Sequence, residues 1–220
     1  MRSFALAAIA ALSLSTAPAS AAPSAAGRTE FEVLRNGQPF GRHVITVSGS
    51  GDHLTAQSAL SMSASAGPIT LFRYEQNCTE TWSGGSLAGL RCSTLKDGRH
   101  MRVSAAVQRQ MLQVTGARGQ TAFPLGTFPT SWWTRPPEAT ALSLLNTETG
   151  QPMPVRVTRI GRETIMVAGR PVQAEHIRVQ GTVTADLWYD ENGRWIGCSV
   201  TIRGQHITYR LASPLDAAPA

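Results

Sequence analysis

This sequence lacks the short motifs that mark most metal, redox and nucleophilic sites. It has only three cysteines and no Cys-x-x-Cys, and none of its five histidines pairs with another at metal-binding spacing. No serine stands between glycines in the nucleophile-elbow pattern. The sequence therefore predicts no metal and no cofactor, assigns no catalytic residue, and makes an enzyme the less favoured class.

Long apolar runs are also absent. The most apolar stretch, Phe4 to Leu14, has about 11 residues, too few to cross a bilayer core of about 30 Å as a helix. It follows the positive Met1-Arg2 and precedes a small-residue cleavage pattern that ends at Ala21, which is typical of a secretory signal peptide over 1–21. We expect a periplasmic or secreted chain with no transmembrane segment.

Lysine is almost missing, since Lys96 is the only one, and the formal charge of +6 comes nearly all from arginine. The arginines are scattered from Arg28 to Arg210 without a run. This distribution is compatible with a solvated surface of biased composition or with an anion-binding face. Because the chain is expected to be exported, nucleic acid is not an expected partner.

What the sequence does contain is alternation of apolar and polar residues, typical of strands with one buried face. Positions 177 to 189 alternate throughout, and we predict one long strand bent near Gly181. Turn signals recur at short intervals, the strongest being Asp97-Gly98 and Asn192-Gly193. About 11 to 13 strands joined by short turns predict an all-β fold, a strongly curved antiparallel meander sheet or incomplete β-barrel.

One stretch breaks the alternation. Phe123 to Leu145 contains four prolines around Trp132-Trp133 and cannot be a central strand, because proline lacks the ladder donor. We predict an irregular segment that crosses one opening of the sheet, with a short helix around Ser131 to Thr134. The predicted organisation is a signal peptide (1–21), a disordered linker (22–27), one β-rich domain (28–212) and a disordered tail (213–220).

The cysteines favour one disulfide. Cys78 and Cys92 flank a predicted hairpin turn at Ser83 to Ser86, which sets them opposite each other to within one residue. In an oxidising compartment a Cys78–Cys92 disulfide is the favoured interpretation, with three free thiols as the alternative. Cys198 alternates with apolar neighbours and is interpreted as a small buried hydrophobe.

The candidate binding residues are a carboxylate, a histidine and several aromatic rings. Glu80 shares an aromatic strand face with Tyr74 and Trp82. A buried carboxylate must be hydrogen-bonded, paired or protonated, so Glu80 is either satisfied by neighbouring groups or part of an acid–base site.

His43 shares a predicted inward face and is the possible acid–base partner of Glu80. Trp132 and Trp133 belong to the proline-rich segment and complete the candidate pocket of Tyr74, Glu80, Trp82, Trp132, Trp133 and His43. For all these rings, packing in a filled core is the alternative.

Several segments follow one another in an order that resembles a single family. They are Glu80-Thr81-Trp82 through Leu87, Thr94 through Gly98, Asn146-Thr147-Glu148-Thr149-Gly150, Leu187-Trp188-Tyr189-Asp190 with Trp195, and Gly204 through Tyr209. The family is a domain-of-unknown-function family of exported proteobacterial proteins, and the resemblance covers about Glu30 to Leu211. It implies no activity and gives no residue a role. At the level of fold alone, the meander is similar to curved-sheet periplasmic proteins such as lipoprotein carriers.

These observations lead to three functional hypotheses. The first is a periplasmic binding or carrier module for an apolar or amphipathic small molecule or lipid, held in the candidate pocket. The second is a structural or interaction protein of the cell envelope with a filled core. The third is a hydrolase-type enzyme that uses Glu80 and His43. The sequence leaves the ligand, the partner, the pathway and the oligomeric state open.

Overall fold

A computed structural model describes residues 26–182, 184–202 and 204–212 of the chain. The predicted signal peptide, residues 22–25 of the predicted linker and the predicted tail lie outside these residues. The first strand begins at Gly27, the last residue of the predicted linker and one residue before the predicted start of the β-rich domain.

All regular structure in the described residues is β-strand, which confirms the all-β prediction. The strands are β1 (Gly27–Arg35), β2 (Gln38–Ser50), β3 (His53–Ala66), β4 (Ile69–Ser83), β5 (Ser86–Lys96), β6 (Arg99–Gln108), β7 (Met111–Gly116), β8 (Gly119–Pro124), β9 (Ala139–Leu145), β10 (Pro152–Val167), β11 (Arg170–Gln180), β12 (Thr184–Tyr189), β13 (Trp195–Ile202) and β14 (Gln205–Leu211). Within the described ranges no helix is long and apolar enough to cross a membrane. The short helix predicted around Ser131 to Thr134 is wrong, because this stretch is irregular.

The strands form one antiparallel sheet in the order β8-β7-β6-β5-β4-β3-β2-β1-β14-β13-β12-β11-β10-β9. The first and last strands pair in the middle of the sheet, with Val33 opposite Tyr209. The two edges are therefore β8 and β9, which are joined by residues 125–138. We call these residues the plug.

Local turn chemistry explains most of the meander, and it also explains where the strand prediction failed. Asp97 (φ 46°) and Gly98 (φ 79°) both adopt positive φ, as a two-residue hairpin turn requires. The alternating run at 177–189 is two strands rather than one, because the chain reverses between β11 and β12. Ile177 pairs with Leu187, so both face the core. The described residues accordingly form 14 strands, against the 11 to 13 predicted.

The inward side chains are stacked in rows that cross the strands. One row runs Ile45, Ser58, Cys78, Cys92 and Val103 across β2 to β6. Cys78 and Cys92 are direct register partners and form a disulfide, which confirms the predicted pairing. Most of the buried apolar side chains belong to one core cluster on this face, so much of the interior is filled.

The plug and the turn after β9 bring the two sheet edges together. Thr130 N donates to Leu145 O (3.0 Å), and Leu145 N donates to Phe128 O (2.8 Å), so the plug pairs with β9. Across the gap, Ala117 N donates to Thr149 O (3.3 Å). A Cβ at Gly116 would lie 2.3 Å from the same carbonyl oxygen, so this close approach requires glycine.

Candidate functional site

The plug is fastened to the sheet by a buried carboxylate that accepts two indole hydrogen bonds. Glu80 on β4 is 1% exposed. Its Oε2 accepts from Trp82 Nε1 (2.9 Å) on the same strand and from Trp133 Nε1 (2.8 Å) in the plug. The two indole rings meet edge to face, with centroids 5.4 Å apart. The alternation of β4 places Glu80 and Trp82 on one face, and the fold adds Trp133 from 53 residues away.

Burial raises the pKa of Glu80, and hydrogen-bond donors act in the opposite direction. The indole donors Trp133 and Trp82 and the nearby Ser131 hydroxyl all lower this pKa, and Trp133 has the largest effect. The Ser131 hydroxyl favours the charged form from nearby, although its Oγ finds no hydrogen-bond partner among the described residues. Glu80 Oε1 likewise has none. Desolvation therefore favours the neutral carboxyl of Glu80, and its Oε1 remains available for a further hydrogen bond.

Trp132, the neighbouring plug residue, is half-buried and adopts a positive φ of 63°. Its carbonyl oxygen accepts from Tyr189 Oη (2.8 Å), a fully buried side chain on β12. Next in the plug, Arg135 forms an ion pair with Glu175 on β11. The plug is thus bound to β4 on one side of the interior and to β11 and β12 on the other.

His43 lies in a different aromatic cluster. Its ring centroid is 5.7 Å from that of Trp195 and 5.8 Å from that of Tyr209, both edge to face. Its Nε2 is 2.9 Å from Ser58 Oγ, and its Nδ1 has no partner among the described residues. Burial lowers the pKa of His43 to about 4, so the ring is neutral at neutral pH.

The structure does not join Glu80 and His43 into an acid–base pair. His43 stands in the row of Leu60 and Gln76, whereas Glu80 lies four residues beyond Gln76 on β4. That offset is about 13 Å along the strand, far more than hydrogen-bond reach. No described hydrogen bond connects the two side chains.

Tyr74 lies on the other side of the His43 row, away from Glu80. It is 8% exposed, and the ammonium of Lys96 lies 5.8 Å from its ring centroid. Burial raises the pKa of Tyr74, and Glu148 raises it further. Of the six predicted pocket residues, the structure therefore brings Glu80, Trp82, Trp132 and Trp133 together at the plug and places Tyr74 and His43 elsewhere.

The strand ends near Tyr74 carry an apolar patch that is only half covered. We call it the mouth, and it consists of Phe40, Leu60, Met62, Ala64 and Phe72 on the inward face of β2, β3 and β4. Phe40 and Phe72 stack with centroids 5.5 Å apart. The other members are half-buried, in contrast to the fully buried side chains around the plug.

A charged cluster on the outer face was missed by the sequence reasoning. His176 lies between two carboxylates, with Nδ1 3.0 Å from Glu163 and Nε2 2.7 Å from Asp186. Its ring stacks on Trp188 at 4.9 Å, and Trp188 Nε1 donates to Glu163 (2.6 Å). The available signal was Trp188, an aromatic residue at a polar position of an alternating strand. Within the described ranges, no three His, Cys, Asp or Glu side chains are grouped as metal ligands.

Comparison with known proteins gives a family and a fold. A solved structure of a β-barrel-like protein of Domain of Unknown Function DUF1849 from Brucella abortus is similar to this chain, with a TM-score of 0.61 and 11% sequence identity. The similarity covers 84% of this chain and 95% of that one. At this identity it supports the barrel-like fold alone.

No curated protein matches the chain. The family model described as Domain of unknown function (DUF6134) matches residues 31–212, nearly all of the described part. The resemblance noted in the sequence is thereby confirmed, and the chain belongs to the DUF6134 family of proteins of unknown function.

Proposed function

We propose that this protein is an exported binding module that holds an apolar or amphipathic small molecule, such as a lipid, at the mouth. The observation that carries the proposal is an inward-facing apolar patch that stays half covered above a buried polar row. Folding normally covers such a face, and a concave apolar surface with a few polar groups is the usual form of a small-molecule site.

The row beneath the mouth supplies polar contacts for an amphipathic ligand. His43, Gln76 and Thr94 are all buried, and Gln76 Nε2 donates to Thr94 Oγ1 (3.1 Å). His43 Nδ1 remains without a partner, and leaving a buried polar atom unsatisfied costs about 1–3 kcal/mol. A ligand group that hydrogen-bonds to it would remove this cost.

The proposal divides the predicted pocket into two parts. Tyr74 and His43 border the ligand, whereas Glu80, Trp82, Trp132 and Trp133 hold the plug. Export is supported by the signal-like residues 1–21 and by the Cys78–Cys92 disulfide, since structural disulfides persist mainly outside the cytoplasm.

The first test is native mass spectrometry of the protein purified from the periplasm without detergent. We expect a chain that starts at Ala22 and carries extra mass that organic solvent removes. A bare chain, together with failure to bind dansyl-labelled undecanoic acid, would contradict the proposal.

Paired variants locate the site. Met62→Glu places a charge on the inward face, whereas Ser63→Glu places the same charge on the exposed outer face of the same strand. We expect Met62→Glu to weaken probe binding at least tenfold and Ser63→Glu to change it less than twofold. Ala64→Trp fills the mouth without adding charge and should also block the probe. Equal binding by all three folded variants would rule out the mouth.

A second candidate function is a contact surface for another envelope protein. The tip of the β3–β4 hairpin exposes Ile69 (63%) and Leu71 (66%), which is unusual for large apolar residues. If this candidate is right, Ile69→Ser with Leu71→Ser abolishes recovery of a defined partner from envelope extracts and leaves probe binding unchanged.

A further inference from the structure

The net positive charge, whose arginines look scattered in the sequence, is concentrated on one part of the sheet. Residues 86–124, which form β5 to β8, contain six basic side chains and a single acidic one, Asp97. The basic residues are Arg91, Lys96, Arg99, Arg102, Arg109 and Arg118. Residues 86–124 therefore carry +5 of the formal charge of +6, and the rest of the chain is nearly neutral.

Two of these arginines project from the outer face beside each other. Arg91 on β5 pairs in register with Ser104, and Arg102 on β6 pairs with Ser93. They are therefore diagonal neighbours on one face, at a Cβ separation of about 7–8 Å or less. Both are exposed, and neither forms an ion pair with any described residue. Arg42 on β2 and Arg210 on β14, in the middle of the sheet, are instead neutralised by Glu30 and Glu32.

A polar groove runs across the strands from Arg91. The outward row Thr79, Arg91, Ser104, Thr115 and Gln120 crosses β4 to β8 without interruption. The groove that it lines has a volume of ≈ 920 Å³.

Small residues deepen this groove. Gly89 and Ala106 occupy the adjacent outward row, and a Cβ at Gly89 would lie 2.7 Å from Thr81 Oγ1. A second groove of ≈ 450 Å³ continues past Arg91 to Arg102. The two arginines thus stand along one extended, hydroxyl-lined surface.

We propose that this outer groove binds an anionic glycan, a saccharide chain that carries carboxylate, phosphate or sulfate groups. The arginines supply paired donors for the anionic groups, and the threonine, serine and glutamine side chains match sugar hydroxyls in hydrogen-bonding capacity. No acidic residue lines either groove.

The lining also distinguishes a glycan from other polyanions. It contains no aromatic side chain on which a nucleic-acid base could stack and no large exposed apolar residue that could enter a bilayer. The site is on the opposite face of the sheet from the mouth and does not depend on the function proposed for the mouth.

The experiment compares two variants with equal change in charge. Arg91→Ser with Arg102→Ser removes the two neighbouring groove arginines and leaves Arg109, which also lines the larger groove. Arg42→Ser with Arg210→Ser removes two ion-paired arginines elsewhere. The probe is a heparin octasaccharide, with a neutral maltooligosaccharide and an oligothymidylate of equal charge as comparison ligands, and anionic phosphatidylglycerol vesicles as a fourth. Affinities are measured at several salt concentrations, and folding is checked by circular dichroism.

We expect the protein to bind the octasaccharide and the groove variant to weaken this binding at least tenfold, with a salt dependence reduced by about two ionic contacts. The control variant should change the affinity less than twofold. Equal weakening by both variants would overturn the site. Binding of the oligothymidylate or the vesicles as tightly as the octasaccharide would overturn the glycan assignment, and equal binding of the neutral saccharide would overturn the role of charge.

Discussion

Replacing Trp133 with phenylalanine tests whether the Glu80 carboxylate fastens the plug to the sheet. Trp133 is 4% exposed, and its Nε1 supplies one of the two hydrogen bonds to Glu80 Oε2. The substitution keeps an aromatic ring against Trp82 but removes the donor. Glu80 then retains one donor in a site where its Oε1 already has none.

The expected loss of stability follows from these contacts. A lost hydrogen bond at a buried acceptor costs about 1–3 kcal/mol, and the smaller ring adds about 1 kcal/mol of lost packing. We therefore expect Trp133→Phe to lower the free energy of unfolding by about 3 kcal/mol. With a urea m-value near 2–3 kcal/mol/M, the midpoint should fall by about 1 M.

The matched control is Trp188→Phe. It removes the indole donor to the Glu163 carboxylate, whose side chain is 48% exposed. Solvent can replace that hydrogen bond, so the expected loss is about 1 kcal/mol or less. A double-mutant cycle with Glu80→Leu isolates the Trp133–Glu80 interaction, for which we expect a coupling energy above about 1 kcal/mol. If Trp133→Phe costs as much beside Leu at position 80 as beside Glu, the fastening role is refuted.

Four further perturbations have defined outcomes. Because burial raises the pKa of Glu80, the stability supplied by its neutral form is complete below the unfolded value of about 4.3 and is lost as pH rises from there through the folded pKa. Glu80→Gln should therefore gain stability relative to wild type as pH rises above about 4.3 in urea titrations. The pH dependence from His43 has the opposite sign. Its folded pKa is about 4, so the free energy of unfolding falls by at most about 3 kcal/mol as pH falls from about 6.5. His43→Phe should abolish this slope. A thiol reagent should leave Cys198 unmodified until the chain unfolds, because the thiol is buried and its pKa is raised to about 12; rapid modification of the native protein would contradict the packing. Removing the Cys78–Cys92 disulfide by double Ala substitution should cost about 3 kcal/mol of unfolding free energy, and a loss below about 1 kcal/mol would show that it contributes little.

Strand-level structure was accessible from the sequence because it depends on local rules. Alternation alone assigns the faces of β4, and the Asp97-Gly98 turn is fixed by two residues that accept positive φ. The Cys78–Cys92 pairing follows from the register of the β4–β5 hairpin, whose turn lies at Gly84-Gly85. The same rules failed near Gly181, where the chain forms a hairpin and not one bent strand. Ile177 and Leu187 face inward in either arrangement, so the alternation of apolar and polar residues is the same for both.

The candidate site was only partly accessible, because its members come from separate strands. Alternation placed Glu80 with Trp82, but it could not show that Trp133 donates to the same oxygen or that His43 lies in another row. It also could not distinguish a filled interior from a half-covered one. Period-two patterns describe which face a residue occupies and contain no information on what covers that face.

The sequence by itself determined the all-β class, the meander of short turns, the disulfide and the proline-rich segment that interrupts the strands, because each depends on residues close together in the chain. Only the tertiary structure decided that β1 pairs with β14, that Glu80 binds the plug, and that Arg91 and Arg102 face one groove. Those features depend on strand register and sheet curvature over the whole chain, which no local pattern specifies.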